Sequence, residues 1–306
     1  MGQQASQYQV PSLMCCTERQ DPNKNSPGSN NPIISRTGPA GGYQGGPVPD
    51  IAARFDSAVK TKDLPELVKL LSSNHKLGKD VAATQHPWAE QPQTIGALAA
   101  VHIAVLANDP VQRNRLRVSG AIPTLVQFLN PSNTRDKIHS AVVALSFLTV
   151  DNDDNCKETY RSGALPLLVP MISAQPEGLA FASSSVCRNL FFRSKEAREE
   201  FVNLNGIRAM VNLLKMQPNR ATDTAYMDGI YETVSNLSDL LLPDCTSNDS
   251  AGRLVKRAAR DNLVDSIEAV IVQCSDAEIK QEASKLNSTI TKYLKISSGA
   301  AARSSS

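Results

Sequence analysis

Aromatic residues are scarce in this sequence: seven Phe, six Tyr and one Trp among 306 residues, or 5%. A core built on ring packing is therefore excluded. Hydrophobic residues still reach 41%, so the interior must be made of Leu, Val, Ile and Ala. An excess of one charge is also missing. Lys and Arg number 32 against 30 Asp and Glu, a net charge of +2, which leaves no global basic field for nucleic acid. Long apolar runs are absent too. The longest, Ile95 to Ala107, has thirteen residues with His102 inside it, too short to span a bilayer. The N-terminus lacks the charged-then-apolar order of a secretory signal. Six cysteines occur without any CxxC pair. Cys156, Cys187, Cys245 and Cys274 are scattered through helix-like contexts and read as free, partly buried thiols in a reducing compartment.

Catalytic signals are equally thin. His75, His86, His102 and His139 have no metal-ligand spacing among them. Gly78-Lys79 is followed by Asp80, with no glycine five positions upstream, so there is no phosphate-cradling loop. The glycine-rich stretch GPAGGYQGG (38–46) is not followed by a strand–helix pattern and reads as linker. No catalytic residue, metal site or cofactor is assigned, and the expectation is a protein that is not an enzyme.

What the sequence does contain is a repeat. SGAIPTLVQFL (119–129), SGALPLLVPMI (162–172) and NGIRAMVNLL (205–214) are variations on one phrase, and their glycines, Gly120, Gly163 and Gly206, are 43 residues apart. A fixed period of that size marks a helical solenoid. Each unit reads as three helices. The first ends at the glycine, taken as the left-handed residue after a helix. The second opens on Ile-Pro or Leu-Pro, where a first-turn proline costs no intrahelical bond. The third is longer. In TRDKIHSAVVALSFLT its stripe is Ile138, Ala141, Val142, Leu145 and Leu148. In DTAYMDGIYETVSNLSDL it is Met227, Ile230, Val234 and Leu237, with Asp228, Glu232, Ser235 and Asp239 opposite. Weaker copies flank these. DLPELVKLL (63–71) and QTIGALAAVHIAVLA fit a first unit, with an insertion at 75–92 between them. Asn262 replaces the glycine of a last unit, lengthened by a loop from Pro243 to Asp249. Ser275-Asp276-Ala277-Glu278 reads as a capping box opening the final helix.

These features resemble the armadillo family: the glycine, then Ile/Leu-Pro, then Leu-Val, then a long helix near ALSFL (144–148), VCRNL (186–190) and TVSNL (233–237). The resemblance covers about four fifths of the chain and implies an all-α, right-handed armadillo solenoid of about five three-helix repeats. It also implies that the third helices line a concave groove in which an Asn of each grips a partner's extended backbone, since one amide offers both donor and acceptor. The matching positions hold Val105, Phe147, Asn189 and Asn236, so only two keep the Asn. Importin-type receptors add a Trp in successive repeats. Here the single Trp88 lies in the insertion, which argues against nuclear import. The groove candidates are Arg188, Asn189, Tyr231, Glu232, Asn236 and Asp239.

The first residues carry a different signal. Met1-Gly2-Gln3-Gln4-Ala5-Ser6 fits the acceptor pattern for N-myristoylation of Gly2. One myristoyl chain binds membranes only marginally, with an association constant of about 10⁴ M⁻¹, so a second signal is required. Arg19, Lys24 and Arg36 are cancelled by Glu18, Asp21 and Asp50, which removes a polybasic patch as that signal. Cys15-Cys16 supply thiols for S-palmitoylation instead, and Val10, Leu13 and Met14 suit the interface. Residues 17–49 would form a flexible tether spanning about 30 Å.

The organisation expected is a flexible acylation segment and linker over 1–50, an armadillo domain over 51–296 and a disordered tail over 297–306. A dually acylated N-terminus on such a body resembles the armadillo-repeats-only family of apicomplexans, which holds rhoptries in place from their cytosolic face. It resembles the longer yeast vacuolar armadillo proteins more distantly. The cysteine pair stands farther from Gly2 than the apicomplexan pattern leads one to expect. That resemblance implies an armadillo-interacting protein, an adenylate cyclase and an unconventional myosin as partners, and a peripheral, lipid-anchored position on an organelle or plasma membrane. A soluble adaptor or cargo carrier, and an armadillo-type regulator of a small GTPase, remain open from the residues alone.

Overall fold

The computed structural model describes residues 51–77, 92–173, 177–215, 217, 220, 223–246 and 252–304. Gly2, Cys15, Cys16, Trp88 and the glycine-rich stretch at 38–46 lie outside the described residues. Helices follow one another in threes. The first unit holds α1 (Ile51–Thr61), α2 (Leu64–Leu70) and α3 (Ile95–Leu106), and the second α4 (Pro110–Val118), α5 (Ala121–Phe128) and α6 (Arg135–Thr149). The third holds α7 (Asp153–Arg161), α8 (Leu165–Met171) and α9 (Glu177–Arg193), and the fourth α10 (Lys195–Asn203), α11 (Gly206–Leu213) and α12 (Thr224–Thr246). The fifth is α13 (Arg253–Arg260), α14 (Leu263–Gln273) and α15 (Ala277–Ser304). This is the expected five-unit solenoid. Among the described residues, an isolated bridge between Lys76 and Thr94 is the one β-type pairing.

Short helices need defined entry points, because their first amides have no intrahelical partner. Polar side chains supply them ahead of α4, α7 and α10. Asp109 accepts from the Val111 amide at 2.8 Å, Asn152 from Asn155 at 3.0 Å and Ser194 from Ala197 at 3.1 Å. The second helix of units two to five is entered through a left-handed residue: Gly120 (φ 82°), Gly163 (φ 78°), Asn205 (φ 64°) and Asn262 (φ 65°). The third of these corrects the sequence reading. The left-handed position belongs to Asn205, and Gly206 is the first residue of α11. Gly206 is required for a different reason: a Cβ there would lie 2.3 Å from the Phe201 ring.

The third helices pack side by side in the order α3, α6, α9, α12, α15. A helix with neighbours on both sides and a second helix behind it is buried nearly all round. Thus Ala141, Val142, Leu145 and Leu148 of α6 are buried as expected, with Ile138 half-buried, but so are Ser140 and His139. In α12 the stripe Met227, Ile230, Val234 and Leu237 is buried as expected.

Polar groups tie the units together. The buried Arg113 guanidinium donates from Nε to the Ala107 carbonyl at 2.7 Å and from Nη1 to the Val150 carbonyl at 2.7 Å. It thereby satisfies carbonyls at the ends of two long helices, one from each of the first two units. Asn155 repeats the device one unit on, donating to the Leu148 carbonyl at 2.7 Å and to that of Arg113 at 3.3 Å. Asp244 accepts from the Leu254 and Val255 amides at 2.9 and 3.3 Å, capping α13 from the preceding unit.

Three boundaries differ from expectation. The loop placed at 243–249 begins later, because α12 continues through Pro243 to Thr246 and delivers Asp244 to its cap. The last helix is capped by Asp276, whose carboxylate accepts from Glu278 and Ile279 at 2.9 and 3.2 Å, and Ser275 lies one residue outside that role. The same helix runs past Ile296 to Ser304, through alanines that favour helix more strongly than the neighbouring serines oppose it.

Candidate functional site: the concave face of the third helices

The four aligned groove positions have unlike surroundings. Val105 is 49% exposed, Phe147 is half-buried, and Asn189 and Asn236 are buried at 8% and 6% exposure. Both asparagines are committed within the chain. Asn189 Nδ2 donates to Thr149 Oγ1 on the preceding long helix at 3.0 Å, and Asn236 Nδ2 donates to Ser184 Oγ at 3.2 Å. Each amide thus bridges adjacent third helices and fixes their spacing. A backbone-gripping role would fall to the amide's second N–H and its carbonyl oxygen.

Arg188, Glu232 and Asp239 meet between α9 and α12. The Arg188 guanidinium converges on one carboxylate oxygen, Asp239 Oδ2, through Nη2 at 2.6 Å and Nε at 2.8 Å, a charge-assisted contact. Its Nη1 also reaches Asn189 Oδ1 at 3.4 Å. Glu232 is buried and accepts from Ser185 Oγ at 2.6 Å. Tyr231 faces the next helix, where burial raises its phenol pKa, aided by the charges of Glu278 and Glu282 and a hydrogen bond with Glu278. The structure therefore gathers Arg188, Asn189 and Asp239 around one guanidinium, while Tyr231 and Glu232, two turns earlier on α12, turn to opposite neighbours, α15 and α9. Asn236 stands between Glu232 and Asp239 on α12 as an interhelix strut.

Sequence reasoning missed an exposed aromatic on this face. Phe192 is 38% exposed, and its ring lies 4.6 Å from Arg188 Cζ and 5.5 Å from Arg193 Cζ. Arg193 is held by Asp151 and Asp153, each at 3.1 Å. An aromatic ring flanked by two anchored guanidinium groups offers an apolar, polarised platform. Part of the signal was present as the i,i+4 spacing of Arg188 and Phe192. Farther along the ladder, Lys137 reaches Asn74 and lies 5.0 Å from the Phe128 ring. Burial lowers the Lys137 pKa, and Asp136 opposes that shift.

Among the described residues no three His, Cys, Asp or Glu side chains are grouped to hold a metal ion, and no helix is long and apolar enough to cross a membrane. His102 is a packing residue, edge-on to Phe55 at 6.2 Å, with its pKa lowered by burial. Cys156, Cys187 and Cys274 are buried free thiols and Cys245 is a half-buried one. Burial pushes the Cys156 pKa up to about 12.

Stacked three-helix units with a ladder of long helices on one face define an armadillo-repeat protein, and this chain belongs to that family. Among solved structures it is similar to ARO, the armadillo repeats only protein of Plasmodium falciparum, with 32% identity over 79% of this chain and 98% of that one, at a TM-score of 0.68. It shares its fold with two designed armadillo repeat proteins at 16% identity. One covers 77% of this chain and 85% of its own at a TM-score of 0.57, and the other 80% and 95% at 0.58. The latter was solved in complex with the peptide (KR)4. No protein-family model matches the chain, and no curated protein sequence does.

Proposed function

We propose that this protein is a membrane-anchored, non-enzymatic scaffold. It binds protein partners on the concave face and positions an organelle from its cytosolic side, in the manner of rhoptry positioning. The observation that carries this reading is the 32% identity to ARO across nearly all of that chain, joined to a Gly2–Ser6 acylation pattern and the Cys15-Cys16 pair. The N-terminal acyl chains hold the body beside the bilayer. The tether lets it reach, and the α9–α12 face with Arg188, Phe192, Tyr231, Glu232 and Asp239 recruits the partner. An armadillo-interacting protein, an adenylate cyclase and an unconventional myosin are the partner classes to try first.

Fractionation of cells expressing the full chain tests the anchor. Gly2→Ala is expected to move the protein from membranes to the soluble fraction, because the thiol acylation step follows stable membrane encounter. Cys15→Ala with Cys16→Ala leaves one myristoyl chain and is expected to give weak, washable binding. A Gly2→Ala protein that stays on membranes removes the lipid anchor from the reading.

A further inference from the structure

The last unit carries a charge distribution that the groove and the acyl segment do not use. Helix α13 reads RLVKRAAR. Its Leu254, Val255 and Ala258 are buried, while Arg253, Lys256 and Arg260 are exposed on the opposite stripe. The helix holds no acidic residue. The next acid in sequence, Asp261, is occupied by Arg208 at 2.8 Å. Arg257 donates to Asn205 at 2.7 Å. Arg253, Lys256 and Arg260 form no ion pair among the described residues. Three cations on one short helix, left without counter-charges, repel one another and cost stability unless something external neutralises them.

A second basic stripe adjoins the first. In α15 no acid follows Glu282, and Lys285, Lys292 and Ile296 fall on one exposed stripe, with Lys295 exposed beside it. The two helices are in direct contact. Gly252, the left-handed residue entering α13 at φ 64°, is so close to α15 that a Cβ would lie 2.0 Å from Tyr293 Oη. Tyr293 thus joins α15 to the start of α13, and Lys292 and Ile296 lie on the stripe of α15 that flanks it. Ile296 is 63% exposed among these cations. Asp265 and Glu268 occupy the exposed stripe of α14. On α15 Glu282 pairs with Lys285 at 3.7 Å and stands ten residues before Lys292, about 15 Å along a helix and beyond the screening length.

We infer that this end face, Arg253, Lys256 and Arg260 with Lys292 and Ile296, is an anionic-lipid surface that lays the last repeat against a membrane. The match is one of chemistry. Each exposed Lys or Arg near an anionic leaflet adds attraction, and an exposed isoleucine among cations suits the headgroup boundary better than it suits water. The acylation segment has no net charge of its own, so the electrostatic contact must come from the body. The inference rests on the anchored-scaffold reading for its setting, but the surface can be tested without any acyl chain.

The full-length Gly2→Ala chain, which cannot be myristoylated, is cosedimented with phosphatidylcholine vesicles with and without phosphatidylserine. Binding is expected only with phosphatidylserine and should fall as salt rises. Arg253→Gln, Lys256→Gln and Arg260→Gln together should lower the partition at least about tenfold, whereas Lys60→Gln with Lys62→Gln, at the other end of the solenoid, should leave it unchanged. All five positions are exposed, so thermal melts should match the parent and exclude misfolding. Equal binding to neutral vesicles, no binding to either, or an unaffected triple variant overturns the inference. Retention on RNA without vesicle binding overturns it in favour of nucleic acid. Mass spectrometry of the native N-terminus reads the other question: an acyl group without phosphatidylserine binding sinks only the lipid surface, and the reverse result sinks only the anchor.

Discussion

Arg188 and Asp239 stand 51 residues apart in the chain and close an ion pair across the concave face, at 2.6 and 2.8 Å. Their side chains are 17% and 18% exposed, so the pair is neither fully screened nor fully buried. Asp239→Ala leaves the guanidinium without its carboxylate and is expected to cost about 1–2 kcal/mol, less than the loss of a fully buried partner. Urea denaturation of Arg188→Ala, Asp239→Ala and the double variant gives the coupling. Additive losses would mean that the contact contributes nothing to stability.

Leu145 is wholly buried in α6 between the neighbouring long helices. Leu145→Asp places an uncompensated carboxylate there and should destabilise by more than about 4 kcal/mol. Calorimetry should show the second and third units melting early. A melting temperature like that of the parent would contradict the seam described above.

Asn205 and Gly206 have separate tasks, and two substitutions tell them apart. Asn205→Gly keeps the left-handed backbone accessible and should change stability by only a few tenths of a kcal/mol. Gly206→Ala drives a methyl group into the Phe201 ring and should cost about 1–3 kcal/mol. Thermal melts of the two variants, compared side by side, are sufficient.

The Cys156 thiol has a folded-state pKa raised to about 12 from an ordinary value of 9.0, burial being the principal cause. The protonated form is the one the fold favours. Its contribution is therefore fully present below about pH 9 and is lost as pH rises towards 12, at up to about 1.4 kcal/mol per pH unit. Cys156→Ala should flatten that part of the stability profile relative to the parent. In the native state Cys156 and Cys187, both buried, should resist a thiol reagent at pH 8, whereas half-buried Cys245 reacts ahead of them.

The architecture was readable because its punctuation is local. A left-handed residue between two helices is a demand on one backbone position, and Gly120, Gly163 and Asn262 announce it without help from the rest of the chain. Where two residues could meet the demand, as in Asn205-Gly206, the pattern chose the commoner type. The glycine was needed to admit the Phe201 ring, a contact that only the folded chain creates. The end of α12 was misplaced for a similar reason, since Pro243 ordinarily breaks a helix and the gain from Asp244 capping α13 is invisible in sequence. In the groove, residue types were legible and partners were not. Nothing in the order of residues says that Thr149 and Ser184 take up the amides of Asn189 and Asn236, or that Arg188 and Arg193 flank Phe192.

The linkage through Arg113 and Asn155 has a dynamic consequence. In a nearest-neighbour array each module can in principle open by itself. Here one guanidinium fastens the carboxyl ends of α3 and α6, and the next amide fastens α6 and α4 to α7. Breathing at either joint would strand buried carbonyls at the other, so the three N-terminal modules should exchange their amide hydrogens as a single cooperative block, giving any bound partner a stiff bed on that half of the solenoid.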